Sequence, residues 1–149
     1  MVMERTFVML KPGVLPRRIA GEVLGRFERK GFKIVALRML RMGRSLAETH
    51  YAGHKGKGFY EKLLDYTVSG PVIAMILQGE GAVARVRRLA GATDVDDSAP
   101  GTIRGDFAGS TRLNIVHASD SAESARREIT LFFKESEIFD WEDGNESWF

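Results

Sequence analysis

The chain has 149 residues, 44% of them hydrophobic, with 28% charged and a net charge of +2; that suits one domain of roughly 100–200 residues with a single sizeable core. There is no cysteine, which excludes a disulfide framework, a thiolate metal site and a cysteine nucleophile. No apolar run reaches the about 20 residues that a membrane-spanning helix needs, and the N-terminus shows neither a basic leader nor an apolar stretch with a cleavage site, so a cytoplasmic protein is expected. The small net charge conceals an asymmetry: residues 1–88 carry 17 Lys+Arg against 7 Asp+Glu, and residues 89–149 carry 5 against 13. Such charges mostly lie on solvated faces and decide no function by themselves.

In chain order, Thr6–Lys11 reads as a buried strand stopped by Pro12-Gly13. Ile19, Val23, Leu24 and Phe27 recur at helical spacing up to Lys30, with Gly31 as the stop. Phe32–Met42 alternates like a half-buried strand. Ser45-Leu46-Ala47-Glu48 fits a capping box opening a short helix through Tyr51. A Gly- and Lys-rich loop, Gly53–Gly58, leads to helical Phe59–Tyr66. After the turn Ser69-Gly70-Pro71, the apolar run Val72–Leu77 suits a central strand. Val83, Val86, Leu89 and Ala90 mark a helix ended by Gly91. Ala92 to about Arg112 reads as one long loop, a length often tied to function. Asn114–His117 is a short strand, and a last helix follows over Glu123–Phe133, with Ser119, Asp120 and Ser121 as possible caps. Leaving out the short helices and the last one, the order is β-α-β-β-α-β. This predicts an α+β, ferredoxin-like antiparallel sheet with helices against one face. Residues 1–149 read as one domain with an acidic tail from about 135, whose last 15 residues hold 6 acidic and no basic side chains. Trp141 and Trp148 imply that the tail packs on this domain or on a neighbouring subunit.

Gly56-Lys57-Gly58 lacks the Ser or Thr and the preceding strand of a phosphate-binding P-loop. His50 and His54 are spaced i, i+4, but Gly53 between them and the missing His-Glu-x-x-His pattern make metal the weaker reading. His117 ends a strand just before a helix N-terminus, where free N–H groups and the helix dipole favour a phosphate. Unprotonated imidazole is also a capable nucleophile near neutral pH. On these local features a structural or capping histidine is at least as good a description.

The words around it carry more. Asn114–Ser121 (NIVHASDS) and Pro100–Phe107 (PGTIRGDF) resemble the nucleoside diphosphate kinase family. So do Glu4–Phe7, Leu10-Lys11-Pro12, Gly21-Glu22, Arg26–Gly31, His50-Tyr51, Ser69–Val72 and Glu123–Ile129, in the same order along nearly the whole chain. The resemblance implies ping-pong transfer of the γ-phosphoryl group from a nucleoside triphosphate to a nucleoside diphosphate through phosphohistidine on His117. It implies Glu128 orienting that histidine with help from Ser119, and Tyr51 beside it. Arg87, Thr93 and Arg104 match phosphate-gripping residues, with His54 a phosphate-facing position that is histidine in part of the family. Lys11 and Asn114 match groups on the sugar hydroxyls, and Phe59 the residue stacking on the base, which implies broad base tolerance. Mg²⁺ is expected to arrive on the nucleotide's phosphates with few protein ligands, and homo-oligomers, hexamers or tetramers, are implied. The chain departs from the family at Gly13 (usually Asp), Gly58 (usually Pro) and Val95 (often Pro). Two rival readings remain: a catalytically silent nucleotide-binding homologue, and a nucleic-acid-binding module. The second lacks the aromatic strands of an RNA-binding sheet, since Thr6–Lys11 and Val72–Leu77 hold one aromatic between them; nucleic acid is not expected as the main ligand.

Overall fold

Strand alternation decides how the sheet is buried. The computed structural model describes residues 2–149. In β1 (Met3–Leu10) the side chains of Phe7 and Met9 enter one apolar cluster, while Val8 and Leu10 enter another on the opposite face. β3 (Pro71–Glu80) divides the same way, Val72, Ala74 and Ile76 against Met75 and Leu77. Burial on both faces explains why these two strands read as continuous apolar runs. With β2 (Lys33–Arg41) and β4 (Val116–Ala118) they form one antiparallel sheet in the order β2-β3-β1-β4, the ferredoxin-like order expected.

One face is covered by α1 (Ala20–Arg29) through Val23 and Phe27, by α4 (Ala82–Ala90) through Val86 and Ala90, and by Ile103 of α5 (Ile103–Phe107). The other face is covered too, by α2 (Arg44–His50), α3 (Tyr60–Thr67) and α6 (Ala122–Phe132), through Ala47, Leu64 and Phe132. The helices therefore lie on both faces, where sequence order suggested one. The additional short helices supply the second layer because the apolar residues alternating along β1 and β3 need cover on each side.

Two local expectations also change. The Ser45–Glu48 capping box does not form. α2 begins at Arg44 with extended Gly43 before it and no side-chain cap, and Arg44 reaches across to α3, pairing with Glu61 and, at 2.7 Å, Asp65. The region expected to be one loop contains α5, five residues long, whose Thr102 hydroxyl accepts the Gly105 N–H at 3.0 Å. α4 has an unusual long-range cap: the Glu4 carboxylate of β1 accepts the Val83 N–H at 3.1 Å, placing negative charge on the helix N-terminus.

The acidic tail packs on its own chain along β2. A bulge at Val35 interrupts the β2–β3 register between Ile34 and Ala36. The Phe139 N–H donates to the Val35 carbonyl at 2.8 Å, and the Trp141 indole N–H to the Ile34 carbonyl at 3.0 Å. Lys33 sits 4.9 Å from the Trp141 ring centroid. Beyond Ala36 the outer side of β2 is open, with Leu37 and Met39 exposed.

Candidate active site

A cavity of about 780 Å³ lies on the α2–α6 side of the sheet, and ten of the eleven residues singled out in the sequence line it. The eleventh, Ser119, is fully buried behind it. Alternation in β4 sends Val116 and Ala118 into the core on one face and the His117 ring toward the other. There its Nε2 lies 3.0 and 3.1 Å from the two carboxylate oxygens of Glu128, on α6. An ionised carboxylate only accepts hydrogen bonds, so Nε2 carries the hydrogen and Nδ1 keeps its lone pair. Glu128, only 3% exposed, is itself held by the Ser119 hydroxyl, which donates to Oε1 at 2.5 Å. Ser121, rather than Ser119, is the cap of α6, accepting the Ser124 N–H at 3.0 Å.

Cations line the inner wall. Arg104 is 5% exposed and its guanidinium donates to three backbone carbonyls: Gly91 at 2.7 Å, Val116 at 2.7 Å and Asn114 at 3.3 Å. Burial, and then the charge of Arg87, lower its pKa to about 10. Arg87, from α4, donates to the Ala118 carbonyl at 3.1 Å. Gly91 has a φ of +94°, and a Cβ there would lie 2.3 Å from the Ser98 hydroxyl, so the close packing of this corner requires glycine. Lys11 follows β1 and donates to the Asn114 side-chain oxygen at 2.7 Å; burial, and then Arg104, lower its pKa to about 7. Asn114 in turn donates to the Thr93 carbonyl at 3.2 Å. Between Asn114 and Val116 the chain makes a tight three-residue turn, with the Val116 N–H on the Asn114 carbonyl at 2.8 Å and Ile115 at φ +75°. That is a strained conformation for a β-branched residue, kept where surrounding bonds over-determine it.

The outer end is built differently. Phe59, just before α3, is half exposed. It occupies the third position of a turn from Lys57 to Tyr60, closed by the Tyr60 N–H on the Lys57 carbonyl at 3.1 Å, with φ −89° and ψ −3°. The His54 ring lies 5.4 Å from Phe59, and its Nδ1 is 3.1 Å from Lys57 Nζ. Burial, then Lys57, lower the His54 pKa. Tyr51 is 5% exposed, its hydroxyl has no hydrogen-bond partner among the described residues, and burial raises its pKa. Thr93 lies exposed at the rim.

Two sequence departures have local causes. A Cβ on Gly13 would lie 2.8 Å from the Tyr66 hydroxyl, which already accepts the Gly13 N–H at 3.2 Å; Tyr66 occupies the room an aspartate needs. The Val95 N–H donates to the Thr111 hydroxyl at 3.0 Å, a bond proline cannot make.

Two further groups here have no catalytic or binding role in the sequence reading. Asp120 lines the cavity, its pKa lowered by a Ser124 hydrogen bond first. His50 is fully buried against Glu128 and His117. Only its i, i+4 partner was visible in the sequence, and the structure separates the two, His54 turning to Lys57. His50, His117 and Glu128 could offer a metal three atoms within 4.8 Å of one another. However, Ser119 and His117 already occupy the carboxylate, and Lys11 and Arg127 face the group with positive charge. The arrangement suits an imidazole–carboxylate pair better than a resident cation.

Comparison with known proteins agrees along the chain. Residues 4–138 match the family model described as nucleoside diphosphate kinase. The nucleoside diphosphate kinase of Archaeoglobus fulgidus is 56% identical over 146 residues, covering 98% of this chain and 97% of that protein. That of Treponema pallidum (strain Nichols) is 55% identical over all 149 residues, covering 100% of each chain. Among solved structures, a halophilic nucleoside diphosphate kinase from Halobacterium salinarum in complex with CDP superposes with a TM-score of 0.95 at 43% identity, covering 99% of this chain and 98% of that one.

Proposed function

The chain belongs to the nucleoside diphosphate kinase family, and on that premise we propose that it moves a γ-phosphoryl group between nucleotides through phosphohistidine on His117. The observation that carries this reading is the His117 ring itself, held through Nε2 on Glu128 at 3.0 Å, which leaves the lone pair to Nδ1, in a cavity also lined by Lys11, Arg87 and Arg104.

In the first half-reaction the Nδ1 lone pair attacks the γ-phosphorus of a nucleoside triphosphate. The N–P bond forms as the bond to the bridging oxygen breaks, and the diphosphate leaves with that electron pair. Positive charge growing on the imidazole falls beside Glu128, which Ser119 keeps fixed. Charge spreading over the phosphoryl oxygens meets Arg87, Arg104 and Lys11, and donors already in place cost no reorganisation. The Tyr51 hydroxyl, unpartnered in the wall, is a further donor, and Thr93 and His54 offer more toward the phosphates. In the second half-reaction a different diphosphate attacks the phosphorus and His117 is regenerated. Lys11 and Asn114 are assigned to the sugar hydroxyls and Phe59 to the base. A base read chiefly through an aromatic face is read with broad tolerance.

The donor set fits Mg²⁺ carried by the nucleotide. Apart from Glu128, which is engaged with His117 and Ser119, Asp120 is the carboxylate among the cavity residues, so few protein oxygens await the ion. Asp120 would be the carboxylate placed to hold water around the ion, and the ion would supply positive charge to offset that of the phosphates. The same reading includes a homo-oligomer, hexamer or tetramer, in the cytoplasm. The open part of the β2 edge with exposed Leu37 and Met39 supports a subunit contact there, and among the described residues no helix is long and apolar enough to cross a membrane.

Incubation with γ-labelled ATP and Mg²⁺ tests the central claim. Label is expected on His117, acid-labile and discharged by GDP, CDP or UDP. His117→Ala should lose labelling and about 10⁵-fold or more of turnover, as loss of a nucleophile does. Nucleotide binding without label on the native protein would overturn the reading in favour of a silent homologue.

A further inference from the structure

Glu128 is bonded unevenly. Its Oε1 accepts from the Ser119 hydroxyl at 2.5 Å and from His117 Nε2 at 3.0 Å. Oε2 has only the other branch of the same His117 contact, at 3.1 Å. A buried carboxylate oxygen with one shared donor is costly to keep ionised. Two other groups approach it. Arg127 Nη2, at 3.8 Å, belongs to a side chain that is 54% exposed. His50 Nδ1, at 3.9 Å, belongs to one with no exposed surface. Neither His50 nitrogen has a hydrogen-bond partner among the described residues. Two under-bonded buried groups thus face each other across about one ångström more than a hydrogen bond needs.

We propose that His50 is a positioning residue for the phosphotransfer: its Nδ1–H seats on Glu128 Oε2 and completes the carboxylate's hydrogen bonds while His117 carries the phosphoryl group. This rests on the reading of His117 as the phosphorylated residue. The packing around the ring holds it for such a task. It stands edge-on to Tyr51 at 4.4 Å and His117 at 4.5 Å between ring centroids, and to Phe132 at 5.1 Å, with Phe7 at 5.9 Å. Charge is excluded from it. Burial above all, then His117, Arg127, Lys11 and His54, lower its pKa to about 2, so it brings a donor without a second positive charge beside His117. A neutral ring has one N–H, and placing that hydrogen on Nδ1 gives the unpaired nitrogen a partner and the under-bonded Oε2 a second donor.

Asparagine and glutamine separate donation from packing. In His50→Asn the amide nitrogen can stand near the place of Nδ1; in His50→Gln it stands near Nε2, and glutamine fills the space better. With the whole protein, Mg²⁺ and γ-labelled ATP, the single-turnover rate of His117 labelling is measured for the native chain, both amides and His50→Leu. ADP affinity and thermal unfolding are measured alongside. His50→Asn is expected to stay within about 3-fold of native labelling. His50→Gln and His50→Leu should fall about 10-fold or more, with ADP affinity unchanged. A glutamine variant equal to or faster than asparagine, or losses confined to ADP affinity, overturns the proposal. A second measurement needs no variant: ¹⁵N-histidine spectra of the native protein should show the Nδ1–H tautomer at His50, with that proton moving downfield on phosphorylation. The Nε2–H tautomer in both states overturns the proposal even if every variant fails to fold. Absence of label on the native chain defeats the functional reading itself, a result distinct from a reversed asparagine–glutamine order.

Discussion

The two ends of the cavity follow opposite rules. At the inner end, Arg104, Lys11, Asn114, Ser119 and Glu128 are all buried and linked through hydrogen bonds to backbone or to one another. At the outer end Phe59 is half exposed on a turn in a Gly- and Lys-rich segment, with Lys57 Nζ 5.8 Å from its ring centroid. Buried polar networks of the first kind hold atoms in fixed places, and partial satisfaction is expensive. An exposed aromatic face accepts any flat partner at modest energy. The chemistry, on the proposed reading, sits where geometry is over-determined, and the variable part of the substrate sits where it is not.

Substitutions can break this contrast. Glu128→Gln keeps the shape but removes the charge beside His117; turnover should fall about 10²–10⁴-fold, the range for losing an orienting carboxylate or an acid–base group. ADP affinity, measured by calorimetry, should barely change. A similar loss in affinity and in rate would mean that Glu128 holds the cavity open rather than tuning the imidazole.

Lys11 gives a pH test of the inner end. Its ammonium has a pKa near 7 in the folded chain and about 10.4 when unfolded. Between those values the unfolded state binds more protons, so this residue makes stability rise with pH. Phosphate favours the charged form, so nucleotide binding near pH 8 should take up close to one proton, read by calorimetry in buffers of different ionisation heat. Lys11→Met should abolish the uptake and weaken ADP binding about 10-fold or more, since charged hydrogen bonds are worth about 1.5–3 kcal/mol. Equal uptake in the variant would remove Lys11 from the phosphate or sugar site.

At the outer end, Phe59→Ala should cost about 1–3 kcal/mol of nucleotide affinity, by a similar factor for purine and pyrimidine diphosphates. A loss confined to one base would replace tolerance with recognition. The smallest effect is expected at Gly58. It is the second position of the Lys57–Tyr60 turn, where proline is favoured, and nothing lies within 4 Å of a Cβ built there. Gly58→Pro should add about 0.4–1 kcal/mol of stability in thermal unfolding and leave labelling of His117 unchanged.

These contrasts also explain what could be read from the residues alone. The longer elements were legible because their apolar spacing is strong: Val23 and Phe27 on α1, and the runs in β1 and β3. α5 was not, because five residues inside a polar stretch leave little but the Thr102 cap to find. The Ser45–Glu48 pattern misled because Arg44 is drawn into the helix by partners on α3, far along the chain. The candidate site was visible as ordered words around His117. Its internal wiring was not, since the Arg104 contacts, the depth of Lys11 and the closeness of His50 to Glu128 all arise from tertiary packing. Gly13 read as a missing carboxylate until Tyr66 was seen in its place.

Arg104 carries one last consequence. A guanidinium tied to the carbonyls of Gly91, Asn114 and Val116 is placed by the chain's own backbone and needs no nucleotide to position it, so on the proposed reading the wall meets an incoming donor and an incoming acceptor with the same face. A protein built so stores no preference for the direction of transfer. On the proposed reading it acts as an exchanger whose traffic follows the relative abundance of the nucleotides around it, with no latch to reset between one visitor and the next.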